Sequence, residues 1–161
     1  MREIVIISGK GGTGKTSLAG ALANVAQSKV LCDLDVDAPD LHILLDPEVK
    51  KKQSFVSGHE ARTRPEDCTA CGTCAQVCRF EAVHEQRGVY AIDPLRCEGC
   101  KVCVTLCPVE AIDFPERHCG DWYISETRFG PMVHAQLFAG EENSGRLVTL
   151  LKQQAKEMAE D

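Results

Sequence analysis

The sequence lacks the features of a membrane or nucleic-acid-binding protein. No apolar run approaches the length of about 18 residues that spans a bilayer, and the first residues lead into a β-branched segment with no basic and apolar leader. A formal net charge of -6 argues against nucleic acid or an anionic membrane as a partner. Only eight of the 161 residues are aromatic, which limits the size of any single core. These absences predict a cytoplasmic protein of one or two domains.

The ten cysteines are not spread along the chain as a disulfide framework would be. Eight of them fall in two runs, Cys68–Cys78 and Cys97–Cys107, each with the spacing C-x2-C-x2-C-x3-C. The segment from Cys68 to Val83 repeats from Cys97 to Ile112, including a Glu-Ala pair. The repetition predicts a domain built from two copies of one half.

This spacing is the one that bacterial ferredoxins use to bind two 4Fe-4S clusters, with the fourth cysteine of each run crossing to the other cluster. A zinc site closes with four ligands of the C-x2-C and C-x2-C type and would leave the triple spacing unexplained. The predicted ligand sets are Cys68, Cys71, Cys74 and Cys107 for one cluster, and Cys97, Cys100, Cys103 and Cys78 for the other.

Two cysteines lie outside these runs. Cys32 falls in an apolar strand candidate and is interpreted as a small buried hydrophobe. Cys119 stands beside His118 and is open to a second interpretation, as an additional ligand or redox thiol. Neither is assigned to a cluster.

The stretch "GKGGTGKT", Gly9–Thr16, fits the phosphate-loop pattern G-x-x-x-x-G-K-[ST] between a strand candidate at Arg2–Ile7 and a helical pattern. In such a loop, backbone N–H groups surround the phosphates, the lysine (Lys15) reaches the terminal phosphates and the hydroxyl of Thr16 ligates magnesium. The predicted cofactor is ATP or ADP with magnesium. The predicted nucleotide-binding residues are Gly9, Lys10, Gly11, Gly12, Thr13, Gly14, Lys15, Thr16 and Ser17.

A second parallel strand is predicted after Lys29, and with the first strand and the intervening helix it would complete a right-handed βαβ unit. Residues 47–66 are polar, contain three consecutive lysines and are interpreted as a solvated linker. After the cysteine repeats, the pattern predicts a strand at Trp122–Thr127 and a helix from about Gly145 to Ala159. Leu147, Leu151, Ala155 and Met158 would share the apolar face of this helix.

The loop "KGGTGKT" resembles the deviant Walker A loop of the MinD/Mrp superfamily of P-loop ATPases. The resemblance implies that Lys10 reaches the nucleotide of the partner in a homodimer that closes on the nucleotide site. It also implies that Asp35, after the second strand, orients water and magnesium. Lys10, Lys15 and Asp35 are therefore the predicted catalytic residues, and no role is assigned to Asp33, Asp37 or Asp40.

The fold expected from this resemblance is α/β: a P-loop parallel-sheet domain, incomplete in this chain, with an inserted α+β ferredoxin domain. The predicted parts are a nucleotide-binding part (1–59), the two-cluster insertion (60–115) and a continuation of the P-loop domain (116–161). The chain looks like the N-terminal part of such a protein, because no D-x-P-x-G switch segment follows and three strand candidates make a small sheet. The apolar face of the last helix would then need a partner.

The function that the resemblance implies is electron transfer through two 4Fe-4S clusters, coupled to MgATP binding and hydrolysis, with an unidentified redox partner. One alternative is an iron-sulfur cluster carrier or assembly ATPase of the Mrp type, although such carriers use fewer cysteines. Another is a nucleotide-binding protein similar to cobyrinate synthases, for which no glutaminase module is visible. Spatial positioning of the MinD kind would require an amphipathic membrane helix, and residues 145–159 have few basic anchors.

Overall fold

The computed structural model describes residues 2–8, 12–141 and 144–160. This part of the chain divides into two compact units. One unit contains the residues up to Phe55 together with those from Cys119 onward, and the other extends from Val56 to His118. Both cysteine runs therefore lie in the second unit.

The first unit is built on a four-stranded mixed sheet. Its strands, in chain order, are β1 (Leu31–Cys32), β2 (Glu48–His59), β7 (Glu116–Thr127) and β8 (Gly130–Leu137). Their spatial order is β1-β8-β7-β2. β7 and β8 form an antiparallel hairpin, whereas β1 runs parallel to β8 with Leu31 opposite Met132. The sheet is thus mixed rather than the parallel sheet that was expected.

The strand predicted over Arg2–Ile7 is not formed. These residues have no place in the sheet, and Ile4 and Ile7 expose 74% and 85% of their surface. A β-branched run has the composition of a strand, but its backbone groups also require a neighbouring strand. The expected neighbour, β1, contributes only two residues, and both are paired with β8. The predicted βαβ unit is therefore absent from the described residues.

Most of the segment interpreted as a solvated linker, residues 47–66, forms a strand instead. β2 occupies twelve of these residues and lies at the edge of the sheet. The β2 lysines contact side chains of β7: Lys51 Nζ lies 5.6 Å from the centroid of the Trp122 ring, and Lys52 Nζ lies 2.9 Å from Asp121 Oδ2. Charged side chains suit an edge strand, because they oppose pairing with another chain. The position at the edge accounts for the lysine run.

Helices cover both faces of this sheet. They are α1 (Lys15–Val25), α2 (Leu41–Leu45) and α5 (Ser144–Glu160). Met132 packs with α2 and Val133 packs with α5, and successive residues of a strand point to opposite faces. No helix among the described residues is long and apolar enough to cross a bilayer.

The last helix confirms the prediction for Gly145–Ala159. Leu147 and Leu151 are fully buried against the sheet, and Ala155 and Met158 pack beside them. The same core contains Cys119, which is also fully buried. The apolar periodicity of the helix therefore identified the face that it buries.

The second unit consists of short strands and helices of one turn or slightly more. They are β3 (Arg62–Thr63), α3 (Thr73–Val77), β4 (Val83–Gln86), β5 (Val89–Ile92), α4 (Val102–Thr105) and β6 (Ile112–Asp113). β3 pairs with β6 and β4 pairs with β5, both antiparallel. The buried core cluster contains Ala61, Ala82, Cys97 and Ile112. Such a small core gives a bound metal centre a structural role.

His134 of β8 makes the stability of the first unit depend on pH. It is 7% exposed, its Nε2 lies 2.9 Å from the Ser125 hydroxyl, and its ring stacks on Tyr123 at 4.9 Å. Burial, with a smaller contribution from the charge of His42, lowers the pKa of His134 to about 4. As the pH falls, the histidine of the unfolded chain is therefore protonated before that of the folded protein. The free energy of unfolding falls as the pH drops from about 6.5 towards 4. Between pH 7.5 and 5 the free energy of unfolding should fall by about 2 kcal/mol.

This prediction is checked by urea unfolding followed through the fluorescence of Trp122, which lies in the same sheet. His134→Gln should remove most of the pH dependence, whereas His84→Gln, at an exposed residue of β4, should retain it. If the free energy of unfolding depends on pH equally steeply in the parent protein and in His134→Gln, another group is responsible.

Candidate iron-sulfur centre and phosphate loop

Four of the predicted cluster ligands surround one small cavity of the second unit. Cys68, Cys71 and Cys74 of the first run line it together with Cys107, the last cysteine of the second run. Cys71 is exposed, and the other three are partly buried. Three thiols of one repeat and one of the other thus meet at the same place.

The other four cysteines differ in how deeply they are buried. Cys97 is buried in the core cluster, Cys78 and Cys103 pack against that cluster, and Cys100 is exposed. Among residues 2–8, 12–141 and 144–160, no three His, Cys, Asp or Glu side chains converge to ligate one metal ion. In a 4Fe-4S cluster, each thiolate binds a separate iron atom.

Backbone N–H groups are directed at two of the sulfur atoms. Ala111 N–H donates to Cys107 Sγ at 3.3 Å, and Ala61 N–H donates to Cys97 Sγ at 3.5 Å. Hydrogen bonds of this kind stabilise thiolates and are among the groups that set the potential of a bound iron-sulfur cluster. The surroundings of the sulfur atoms therefore suit thiolate ligands.

The pKa values of the thiols reflect their crowding. Burial, together with the charges of Cys97 and Cys100, raises the pKa of Cys103 to about 11. Burial likewise raises the pKa of Cys74, while the Thr73 hydroxyl, 3.4 Å from Cys71 Sγ, lowers the pKa of Cys71 by hydrogen bonding. Several thiolates in one small core repel each other, and cationic iron removes that repulsion.

The backbone shows the duplication independently of the thiols. Three pairs of residues 29 positions apart all have a positive φ: Ala70 and Gly99 (54° and 62°), Gly72 and Lys101 (76° and 67°), and Glu81 and Glu110 (51° and 50°). The left-handed conformation is unfavourable for most residues other than glycine. Its recurrence at matching positions therefore indicates that both repeats need the same backbone conformation there. Both repeats follow the same turns around their cysteines.

The predicted phosphate loop ends where α1 begins. Gly12 and Gly14 have φ values of 78° and 83°, and Lys15 is the first helical residue. Lys15 Nζ lies 2.6 Å from Asp35 Oδ2, and this hydrogen bond raises the pKa of Lys15. Gly9, Lys10 and Gly11 lie outside the described residues. Of the remaining predicted residues, Thr16 is partly buried, while Thr13 and Ser17 are exposed.

Asp33 is a residue of this site to which the sequence assigned no role. Its carboxylate accepts hydrogen bonds from the N–H groups of Asp35 (3.1 Å) and Leu41 (3.2 Å). These bonds fix the turn that brings Asp35 to Lys15. Burial raises the pKa of Asp33 against the opposing effect of the two bonds. The available signal was the Asx-turn spacing, an aspartate that bonds the backbone two residues on.

Neither of the two remaining cysteines joins the cluster region. Cys32 is partly buried rather than fully buried; it packs against the core of the first unit, and burial raises the pKa of its thiol to about 12. Cys119 is fully buried in the core of the first unit with Trp122 and Leu147. The structure therefore favours a packing role for Cys119.

Comparisons with known proteins agree with the cysteine pattern. The family described as a 4Fe-4S binding domain matches residues 61–84 and 90–113. An uncharacterised protein of Methanocaldococcus jannaschii is 37% identical over 158 residues, covering 96% of this chain and 55% of the relative. The chain thus spans about half the length of that relative. The second unit of this chain therefore contains a ferredoxin-type domain with two 4Fe-4S binding repeats.

Proposed function

We propose that this chain couples the binding and hydrolysis of MgATP to electron transfer through two 4Fe-4S clusters. The observation that carries the proposal is the cavity at which three thiols of one repeat meet the last thiol of the other. The other unit supplies a glycine loop, Lys15 and neighbouring aspartates, the residue types that bind nucleotide phosphates and magnesium. Electron-transfer and nucleotide-binding groups thus occur in one chain.

The proposed ligands cross between the two repeats. Those of the first cluster are Cys68, Cys71, Cys74 and Cys107, and those of the second cluster are Cys97, Cys100, Cys103 and Cys78. When bound, a 4Fe-4S cluster accepts and releases one electron at a potential set by its surroundings. The chain supplies the thiolates, donates N–H groups to two of them and limits the access of water around Cys97.

In the proposed nucleotide site, Lys15 neutralises phosphate charge, and Thr16 and Asp35 hold magnesium. The pairing of Lys15 with Asp35 supports this assignment, because it places the cation beside the proposed magnesium ligand. Lys10 would act on the nucleotide of a second copy in a homodimer, as the resemblance to the MinD/Mrp loop implies. That role remains a prediction.

Delivery of clusters to other proteins is a second candidate function. The exposure of Cys71 and Cys100 favours it, since one thiolate of each proposed set is open to solvent and to an acceptor. Transfer of iron and sulfide to an apo-ferredoxin at a rate that MgATP increases would support delivery. Retention of both clusters during many reduction cycles would support electron transfer instead.

The coupling is tested by anaerobic redox titration of the reconstituted protein with and without MgATP. We expect the midpoint potential of at least one cluster to change, with a coupling free energy of about 1–3 kcal/mol, the usual range between linked sites. At an MgATP concentration that just saturates the parent protein, Lys15→Ala should show a much smaller change, because its phosphate contact is lost. Identical titrations with and without MgATP in the parent protein would mean that the two units are not coupled.

A further inference from the structure

The two repeats differ at the residue that follows the second cysteine of each run. In the first repeat this residue is Gly72, and in the second it is Lys101. Both adopt the left-handed conformation, with φ values of 76° and 67°. Glycine adopts it freely, whereas lysine is disfavoured there. Such an outlier beside a metal ligand motivates a functional hypothesis.

The ammonium group of Lys101 is held against the domain. Its Nζ lies 5.7 Å from the centroid of the Phe114 ring, a cation–π distance. Phe114 packs against the core cluster that contains Cys97. The adjoining turn is also fixed, because a Cβ at Gly99 would collide with the carbonyl oxygen of His59. Lys101 thus follows Cys100 directly in the chain, and its ammonium group lies over the Phe114 ring.

The charges that flank the two ligand sets have opposite signs. Within two residues of any first-cluster ligand, the charged side chains are Glu66 and Asp67, a net charge of -2. Around the second-cluster ligands they are Arg79, Arg96, Glu98 and Lys101, a net charge of +2.

The residues that flank the two ligand sets still differ in net charge when those in ion pairs are left out. Asp67 pairs with Arg64 and Arg96 with Asp93, so both belong to local pairs. The remaining flanking charges are Glu66 for the first cluster, and Arg79, Lys101 and Glu98 for the second. Near the second set, Arg117 Nη1 also donates to the carbonyl oxygen of Cys97 at 3.0 Å.

We propose that Lys101 raises the reduction potential of the second cluster above that of the first. The inference rests on the proposed function, in particular on the crossed ligand sets. Reduction adds one negative charge to a cluster, so a nearby cation stabilises the reduced form and a nearby anion destabilises it. Hydrogen bonds at Cys71 and Cys107 favour reduction of the first cluster, but they come from neutral groups. The unit charges around the second cluster act over a longer range.

The test is a potentiometric titration of the reconstituted protein with dithionite as the electron donor, followed by electron paramagnetic resonance. Lys101→Met keeps the aliphatic stem over Phe114 and removes the charge, and Lys101→Arg keeps the charge. At a fixed potential, Lys101→Met should lower the ratio of reduced to oxidised second cluster between about threefold and tenfold, tenfold being 59 mV for one electron. Lys101→Arg should give the same ratio as the parent protein. Lys156→Met, in the other unit, applies the same change of net charge and should have no effect.

Iron and sulfide analysis is carried out first on every variant. If the parent protein holds two clusters but its titration shows one common potential, or if Lys101→Met titrates as the parent does, the role of Lys101 is wrong and the proposed function stands. If Lys101→Arg lowers the potential as much as Lys101→Met does, the side chain acts by packing and the proposal is again wrong. A parent protein that binds fewer than two clusters would overturn the proposed function as well.

Discussion

Replacement of Cys78 by serine is expected to remove the second cluster and to leave the first. Cys78 belongs to the first run, but the crossed pattern makes it the fourth ligand of the cluster held by Cys97, Cys100 and Cys103. The equivalent crossing residue, Cys107, lies at the cavity of the opposite run in the structure. Iron content should fall by about half, because one of two equal clusters is lost. Thermal stability should fall with it, since the second unit has a small core.

Matched serine variants identify which cluster is lost. The residual paramagnetic spectrum of reduced Cys78→Ser should resemble that of Cys100→Ser, and the spectrum of Cys107→Ser should resemble that of Cys71→Ser. If Cys78→Ser instead resembles Cys71→Ser, the four cysteines of each run bind their own cluster. The crossing would then be refuted, while two-cluster binding would remain.

Lys15→Ala should weaken binding of MgATP between about 10-fold and 150-fold, the loss expected when a charged hydrogen bond worth about 1.5–3 kcal/mol is removed from a phosphate. Its ammonium lies at the start of α1 beside Asp35, where the terminal phosphates are proposed to bind. Equilibrium binding of a fluorescent ATP analogue in magnesium measures the effect. Lys50→Ala, at an exposed residue of β2 that does not line the cavity around Lys15, serves as the control.

Lys10→Ala separates the two lysines of the loop. We expect it to bind the analogue nearly as well as the parent protein but to lose ATP-dependent association and hydrolysis, because Lys10 is proposed to act across a homodimer. If Lys10→Ala hydrolyses ATP normally, Lys10 is an ordinary solvated lysine of the loop. Loss of binding in Lys10→Ala alone, with Lys15→Ala unaffected, would reverse the two assignments.

The cysteine-rich unit was largely predictable because its information is local. The spacing of Cys68, Cys71 and Cys74 fixes which thiols share a turn, and the repeat at Cys97 shows that the turn occurs twice. The meeting of Cys107 with the first run could be expected from the same pattern. The hydrogen bond from Ala61 N–H to Cys97 Sγ carries no such signature, since it joins residues 36 positions apart in the chain.

The sheet was less predictable because strand pairing is a non-local property. Arg2–Ile7 has the composition of a strand and is not paired, whereas the lysine-rich Glu48–His59 is a strand at an edge. Composition reports how well a residue suits a pleated surface, but the ladder requires a neighbour. Helix α5 was predicted well because its 3.6-residue period records, within one segment, which face is buried.

The shared cavity has a consequence for how the site assembles. It takes Cys68, Cys71 and Cys74 from one copy of the repeat and Cys107 from the other, so a fragment with one copy alone would place only three thiols at this site. Such a fragment would need a second molecule to supply the fourth thiol, and its completion would depend on protein concentration. Joining both copies in one chain makes the fourth thiol available at a high effective concentration. Cluster binding should therefore be insensitive to dilution.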